Sequence, residues 1–295
     1  MKPFFSVIIT SYNREATIER SVASVLNQSF KDFELLLIDD GSTDSTSSLV
    51  KRFSSKKIKY FYKDNEERNI ARNFGIDKSS GEFIIFLDSD DEFLPNHLSN
   101  YKNTIESYNE GIFVSHHQLN SYGQISEKKI DELNPKKLIF SNPIVVGGIC
   151  IERTLFNKDL RFLNSKDSVV GEDQYLWMRL FSRYSFRICN FSTVVIHEDQ
   201  SRSLRNIDVE KLVRGQSEII DSLSRDAHFL DAFGRHFKAF KSNSTYFIGL
   251  NYVGINGVKA TSYLLKGFKM CPNSIFKKVF WAIVKNIVLK RKYYA

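Results

Sequence analysis

Phe83-Ile84-Ile85-Phe86-Leu87 runs directly into Asp88-Ser89-Asp90-Asp91, and this stretch decides the fold. Five apolar residues ending in an acidic turn read as a short buried strand. Comparable segments lie upstream at regular intervals. Phe4 to Thr10 reads as a first strand, followed by Ser11-Tyr12-Asn13-Arg14 and a helix whose Ile18, Val22, Val25 and Leu26 share one face. Phe33 to Ile38 is a second, ending in Asp39-Asp40-Gly41-Ser42-Thr43-Asp44, after which a helix carries Leu49, Val50 and Phe53. Ile58 to Tyr62 is a third, and a helix from Arg68 to Ile76 leads into the quoted strand. Beyond it come a helix marked by Leu98, Tyr101, Ile105 and Tyr108, and a strand from Gly111 to Ser115. Strands alternating with helices predict an α/β protein with a mostly parallel sheet flanked by helices. Later, Ile144 to Ile151 is apolar but interrupted by Gly147-Gly148, Glu172 to Tyr184 reads as a helix, and the pattern is helical from Arg205 to the end. The expected organisation is a body over 1–204 and a helical extension over 205–295.

In open parallel sheets, ligands bind beyond the carboxyl ends of the strands. Two of these strands end there in paired acids, Asp39-Asp40 and Asp88 to Asp91. Crowded carboxylates repel unless a cation sits between them, and a hard divalent ion with oxygen ligands, Mg²⁺ or Mn²⁺, fits that need. Asp and Ser also populate ordinary turns, a reading with most weight at Asp39 to Asp44. Arg68 and Arg72 either are solvated or face the same crevice, where guanidinium geometry suits phosphate oxygens. Glu172-Asp173 follows Gly171 at a helix start, as dipole-favoured caps or as a general base for an acceptor hydroxyl. Taken alone, His197 after Thr193 to Ile196 reads as a buried structural histidine.

Composition bounds the class. The 295 residues are 42% hydrophobic and 14% aromatic, which excludes a disordered or collagen-like chain. Cys150, Cys189 and Cys271 are odd in number and widely spaced, so neither a disulfide framework nor a zinc site is expected, and a reducing compartment is. No run of about 18 apolar residues predicts a spanning helix. The net charge of +8 divides sharply: residues 1–231 carry −4, whereas 232–295 hold 12 basic and no acidic residues, a net of +12.

The segments Val7 to Arg14, Ile38 to Asp44, Ala71-Arg72-Asn73, Gly81 to Ile84 and Asp88 to Asp91, with the later Glu172-Asp173, resemble in this order the inverting glycosyltransferases of family two, which adopt the GT-A fold. The resemblance covers roughly residues 4–204, which makes that body the catalytic domain. It implies that Thr10, Tyr12 and Arg14 line a nucleotide pocket and that, with a uridine donor, Asp40 accepts a hydrogen bond from the uracil ring; Arg68, Arg72 and Ser89 are expected on the nucleotide as well. It places Asp88 on the ribose and metal side of the donor and makes Asp90 the principal ligand of Mn²⁺ or Mg²⁺. Asp173 matches the family's base, with Glu172 as its support, and His197 stands where a late metal-ligating histidine occurs. Gly147-Gly148 would let the backbone approach a bound sugar closely. The Gln-x-x-Arg-Trp signature and membrane helices of the family's processive synthases are missing from this sequence, so single addition is expected. The implied activity is transfer of one sugar from a nucleotide-diphosphate donor, a UDP-sugar, to a hydroxyl of a glycan or lipid-linked glycan in surface polysaccharide biosynthesis.

The basic tail has two readings, a helical cap with a solvated basic face or, over 276–295, an interfacial segment attracted to an anionic membrane surface. The second fits a cytoplasmic protein peripheral on the inner face of the cell membrane. No nucleic-acid motif accompanies the charge, and no nucleic-acid partner is expected. No Gly-x-Gly-x-x-Gly follows the first strand, which argues against an NAD enzyme. The alternative from another class is a non-catalytic nucleotide-sugar or membrane-binding module.

Overall fold

The structure, a computed structural model, describes residues 2–130, 138–168, 170–198, 208–273, 280–281 and 284–285. The chain divides into two compact units: Met1–Leu133 with Pro143–Lys166 and Arg183–Asp199, and Asn134–Asn142 with Asp167–Ser182 and Gln200–Ala295. The second unit thus takes in the Glu172-Asp173 segment as well as the helical extension.

The first unit is built on β1 (Phe5–Ser11), α1 (Ile18–Leu26), β2 (Phe33–Asp39), α2 (Thr46–Lys51), β3 (Ile58–Tyr62), α3 (Arg68–Lys78), β4 (Phe83–Asp88), β5 (Glu92–Phe93), α4 (His97–Ser107), β6 (Ile112–Ser121), β7 (Gln124–Lys128), β8 (Ile149–Glu152) and β9 (Arg187–Glu198). They form one sheet in the order β3-β2-β1-β4-β8-β6-β9-β5, with β7 paired to β6. The strands β1 to β4 pair in parallel, as the alternation with helices predicts. Beyond β4 the sheet is mixed: β8 is antiparallel to β4 and β6, whereas β6 and β9 run parallel. β2 is buried along its whole length and β1 nearly so, because helices cover both faces. The register sets Thr10 opposite Asp88 and Ser11 opposite Asp39, so the acid-bearing strand ends come level. The strand expected to stop at Ser115 continues to Ser121 and turns back as a hairpin through Tyr122 and Gly123, both at positive φ. Its outer half is polar and only partly buried, so its residues lack the apolar run by which the other strands were legible.

The second unit is helical: α5 (Glu172–Phe181), α6 (Val209–Ser224), α7 (Ala227–Tyr252) and α8 (Gly257–Met270). Each of the last three begins with a side-chain cap, Asp208, Asp226 and Asn256 accepting from backbone N–H groups of the first turn. Val209, Leu212, Tyr246, Ile248, Leu250, Ala260 and Leu264 form its core. The buried Phe229, Phe233 and Phe237 recur every fourth residue along α7.

One ion pair ties α5 to the start of α7. Arg179 Nε donates to Asp226 Oδ2 at 2.6 Å, with the Asp226 side chain only 3% exposed. Arg179→Met would remove this guanidinium from a buried carboxylate, and such broken pairs cost about 3 kcal/mol. A lower urea midpoint is expected. Both tryptophans, Trp177 and Trp281, belong to this unit, so their fluorescence reports its unfolding. An unchanged midpoint would show the pair to be energetically idle.

Candidate active site

At the end of β2 the two acids have separate tasks. Asp39 is fully buried and accepts from the Ser42 backbone N–H at 2.8 Å and the Tyr60 hydroxyl at 2.5 Å. Burial and that hydrogen bond to the Asp39 carboxylate push the Tyr60 hydroxyl up to about 12. Asp39 is therefore a turn-former, the role ordinary turn chemistry assigns it. Asp40, 3% exposed, accepts from Lys63 Nζ at 2.8 Å and from the backbone N–H groups of Glu66 and Glu67 at 3.1 and 2.9 Å. Burial lowers the Lys63 pKa, but its bonds to Asp40 and Glu66 prevail and hold it above the usual lysine value.

Two backbone positions beside Asp40 have positive φ. Gly41 has φ +85°, and a Cβ there would lie 2.9 Å from the Asn65 nitrogen. Glu67 has φ 81° and ψ 155°, a region used almost only by glycine, at a cost of about 1–3 kcal/mol. That conformation accompanies the Glu67 N–H on Asp40 at the entry to α3. Tyr62, Lys63, Asp64, Asn65, Glu66 and Lys166 line a cavity of about 570 Å³ beside this loop.

The other predicted pocket residues sit on the same edge. Thr10 is level with Asp88, and Tyr12 is half-exposed. Arg14 donates its backbone N–H to Thr46 Oγ1 at 2.8 Å, and the neighbouring Asn13 bonds Ser42 and Thr43. These contacts lock the loops after β1 and β2 together.

After β4, the carboxylates of Asp88, Asp90 and Asp91 converge, with one oxygen from each lying within 4.8 Å of the others. Arg72 in α3 is 2% exposed, lies over the Phe162 ring at 5.3 Å and donates to Asp88 Oδ1 at 2.8 Å. Arg72 is thus a buried partner of the cluster, not a solvated charge; Arg68 lies on the first turn of the same helix and is partly exposed. Ser89 is buried within the turn. The turn is held from α1, where Arg20 donates to the Asp90 main-chain oxygen and Ser21 Oγ to that of Asp91 at 2.7 Å. Asp91, 4% exposed, accepts from the His197 backbone N–H at 3.0 Å. The His197 ring engages Glu92 at 3.1 Å and Asn120 at 3.4 Å. Three converging oxygen donors suit a hard divalent cation. Lys63 and Arg20, which sequence reasoning passed over, hold Asp40 and the acidic turn. Neither had a local signal, because each acts on a residue at least 23 positions away.

Gly147-Gly148 has a packing explanation. A Cβ on Gly147 would stand 2.8 Å from Val194 Cγ2 and 3.3 Å from the Phe93 ring, so the close approach is to the protein's own side chains. In the second unit, Gly171 at φ +83° opens α5. Glu172 is buried, whereas Asp173 is partly exposed. Asp173 Oδ2 accepts from Asn142 Nδ2 at 2.7 Å, and Oδ1 from the Gln174 backbone N–H at 2.7 Å.

Residues 6–169 match the model of the glycosyl transferase family 2. An uncharacterised glycosyltransferase of Rickettsia bellii is 39% identical over 189 residues, covering 60% of this chain and 26% of that protein's length. The UDP-Glc:alpha-D-GlcNAc-diphosphoundecaprenol beta-1,3-glucosyltransferase WfgD of Escherichia coli is 33% identical over 178 residues, 59% of this chain and 68% of that one. Among solved structures, S. aureus TarS 1-349 in complex with UDP-GlcNAc superposes with a TM-score of 0.67 at 19% identity, covering 98% of this chain and 89% of that one. That likeness is one of fold, the GT-A architecture.

Proposed function

The chain belongs to glycosyl transferase family 2, and from that premise we propose that it moves one sugar from a nucleotide-diphosphate donor, a UDP-sugar, to a hydroxyl of a glycan or lipid-linked glycan acceptor. Surface polysaccharide biosynthesis is the setting that such an acceptor implies. The observation that carries this reading is the Asp88–Asp90–Asp91 cluster beside the buried Arg72, at the strand ends where open α/β sheets take their ligands. The family match and the E. coli relative, whose name specifies UDP-Glc and a diphosphoundecaprenol-linked acceptor, support the donor and acceptor classes.

In this reading, Thr10, Tyr12, Arg14 and Asp40 hold the nucleoside. The Asp40 carboxylate, kept in place by Lys63 and two backbone donors, accepts from the uracil ring. Arg68, Arg72, Asp88 and Ser89 border the diphosphate and ribose. Asp90, with Asp88 and Asp91, would hold Mn²⁺ or Mg²⁺, which when bound neutralises charge on the departing diphosphate. His197 would join that set only by giving up one of its ring contacts, Nε2 to Glu92 or Nδ1 to Asn120. Asp173, supported by Glu172, takes the proton from the acceptor hydroxyl as its oxygen forms the new bond to the anomeric carbon. The bond from that carbon to the diphosphate breaks, the diphosphate leaves with the electron pair, and the configuration inverts.

Incubating the chain with a panel of nucleotide sugars and Mn²⁺, with and without a chelator, tests this. One sugar's nucleotide should be released, and the chelator should stop its release. Release from none of them, with or without acceptor, would leave a binding module as the better description.

The tail belongs to the same proposal as a membrane contact on the cytoplasmic face. Most of 276–295 lies outside the described residues, and among the described residues no helix is long and apolar enough to cross a membrane. Phe280 lies 6.0 Å from Tyr246 and 6.1 Å from Phe268, packed on the core of the second unit. Deleting 276–295 would therefore remove a core aromatic along with the charge.

A further inference from the structure

We propose that α8, not only the terminal run after it, is a membrane-docking surface for anionic lipid: the helix lies in the bilayer interface with Val258 and Leu265 inserted. This deepens the membrane contact proposed above and would stand even if the chain transferred no sugar.

The helix shows two contrasting faces. Ala260, Leu264 and Gly267 are buried, whereas Val258 is 81% and Leu265 54% exposed. Seven residues bring a helix back to within about 20° of the same direction, so Val258 and Leu265 point the same way, with the exposed Thr261 and Ser262 between them. Ile255, just before the helix, is 66% exposed. Trp281 is 56% exposed and follows Phe280, which packs against Phe268 of α8. Single exposed apolar residues are ordinary on protein surfaces. Here two aliphatic side chains lie along one helix face, with a third beside its start and a tryptophan following a residue packed on it.

The charge around this face selects the occupant. Lys259, Lys266 and Lys269 are exposed on α8, and no acidic residue occurs anywhere from 232 to 295. Glu210 on α6 is paired with Lys259 at 2.7 Å, and that bond holds it below the usual carboxylate range. Exposed aliphatic residues flanked by lysines, whose methylene stems can lie along an apolar surface while their ammonium groups reach outward, suit an interface of acyl chains and anionic headgroups. An acidic protein would satisfy the lysines but gives Val258 and Leu265 no comparable apolar medium.

The full chain is sedimented with vesicles of phosphatidylglycerol and phosphatidylcholine, and with phosphatidylcholine vesicles alone. Wild type should bind the anionic vesicles and lose that binding at high salt, and Val258→Asp/Leu265→Asp should weaken it by about tenfold. Lys266→Glu/Lys269→Glu should weaken binding to the anionic vesicles without affecting the neutral ones. Tryptophan fluorescence checks that each variant is folded, and Val258→Ser/Leu265→Ser, which adds no charge, replaces the aspartates if they unfold the unit. Wild-type binding by the folded double variants would overturn the proposal, as would a wild type that binds no vesicle. No nucleotide sugar is present, so failure of the transfer reading cannot produce either result.

Discussion

Asp90→Asn is expected to lower Mn²⁺-dependent sugar transfer about a thousandfold. A cation contributes several kcal/mol where charge develops on a leaving group, at about 1.4 kcal/mol per factor of ten. Asparagine keeps the Asp90 main-chain oxygen, the atom that Arg20 contacts. The turn and the Arg72–Asp88 pair at 2.8 Å should survive. Mn²⁺ binding, followed by titration calorimetry in the presence of UDP, should weaken in parallel. Transfer at the wild-type rate with unchanged Mn²⁺ affinity would remove Asp90 from the proposed metal set and leave Asp88 and Asp91 as its candidates.

Asp173→Asn should lower kcat by a similar order, within the roughly 10²–10⁴ range of general-base catalysis, while leaving UDP-sugar affinity nearly unchanged. Asparagine has the same shape, and its carbonyl can still accept from Asn142, which lies 2.7 Å from Oδ2 in the native protein. What it lacks is a carboxylate to take the proton of the acceptor hydroxyl. Asp90→Asn should impair metal binding as well as turnover, whereas Asp173→Asn should impair turnover alone. Full turnover in the Asp173 variant would sink the base assignment while leaving the nucleotide and metal assignments standing.

The parts of the site that could be read from sequence are those in which a local pattern has a single structural meaning. Phe83 to Leu87 has no polar atom outside its backbone, so burial as a strand is the direct solution, and the acids that follow must then lie at the strand's carboxyl end. Asp91 was visible only as one member of that run. Its place in the cluster depends on a turn held by Ser21, 70 residues away. His197 illustrates the opposite limit: after an apolar strand it reads by itself as structural, the family resemblance alone suggests ligation, and its ring bonds Glu92 and Asn120. Gly147 was read only as room for a bound sugar, and the position of Val194 supplies a packing reason that the sequence does not show.

By itself the sequence determined the alternation of strands and helices, the acidic strand ends, the family resemblance and the division of charge between body and tail. Each is a property of composition or of short-range periodicity, and needs no distant partner. Only the tertiary structure decided that Arg72 is buried against Asp88, that Lys63 and the Glu67 backbone hold Asp40, and that Val258 and Leu265 are left uncovered on α8. The physical reason is the same in all three cases. A charge is neutralised, or an apolar side chain covered, by whatever the fold brings within a few ångströms, and these neighbours come largely from other elements of the chain.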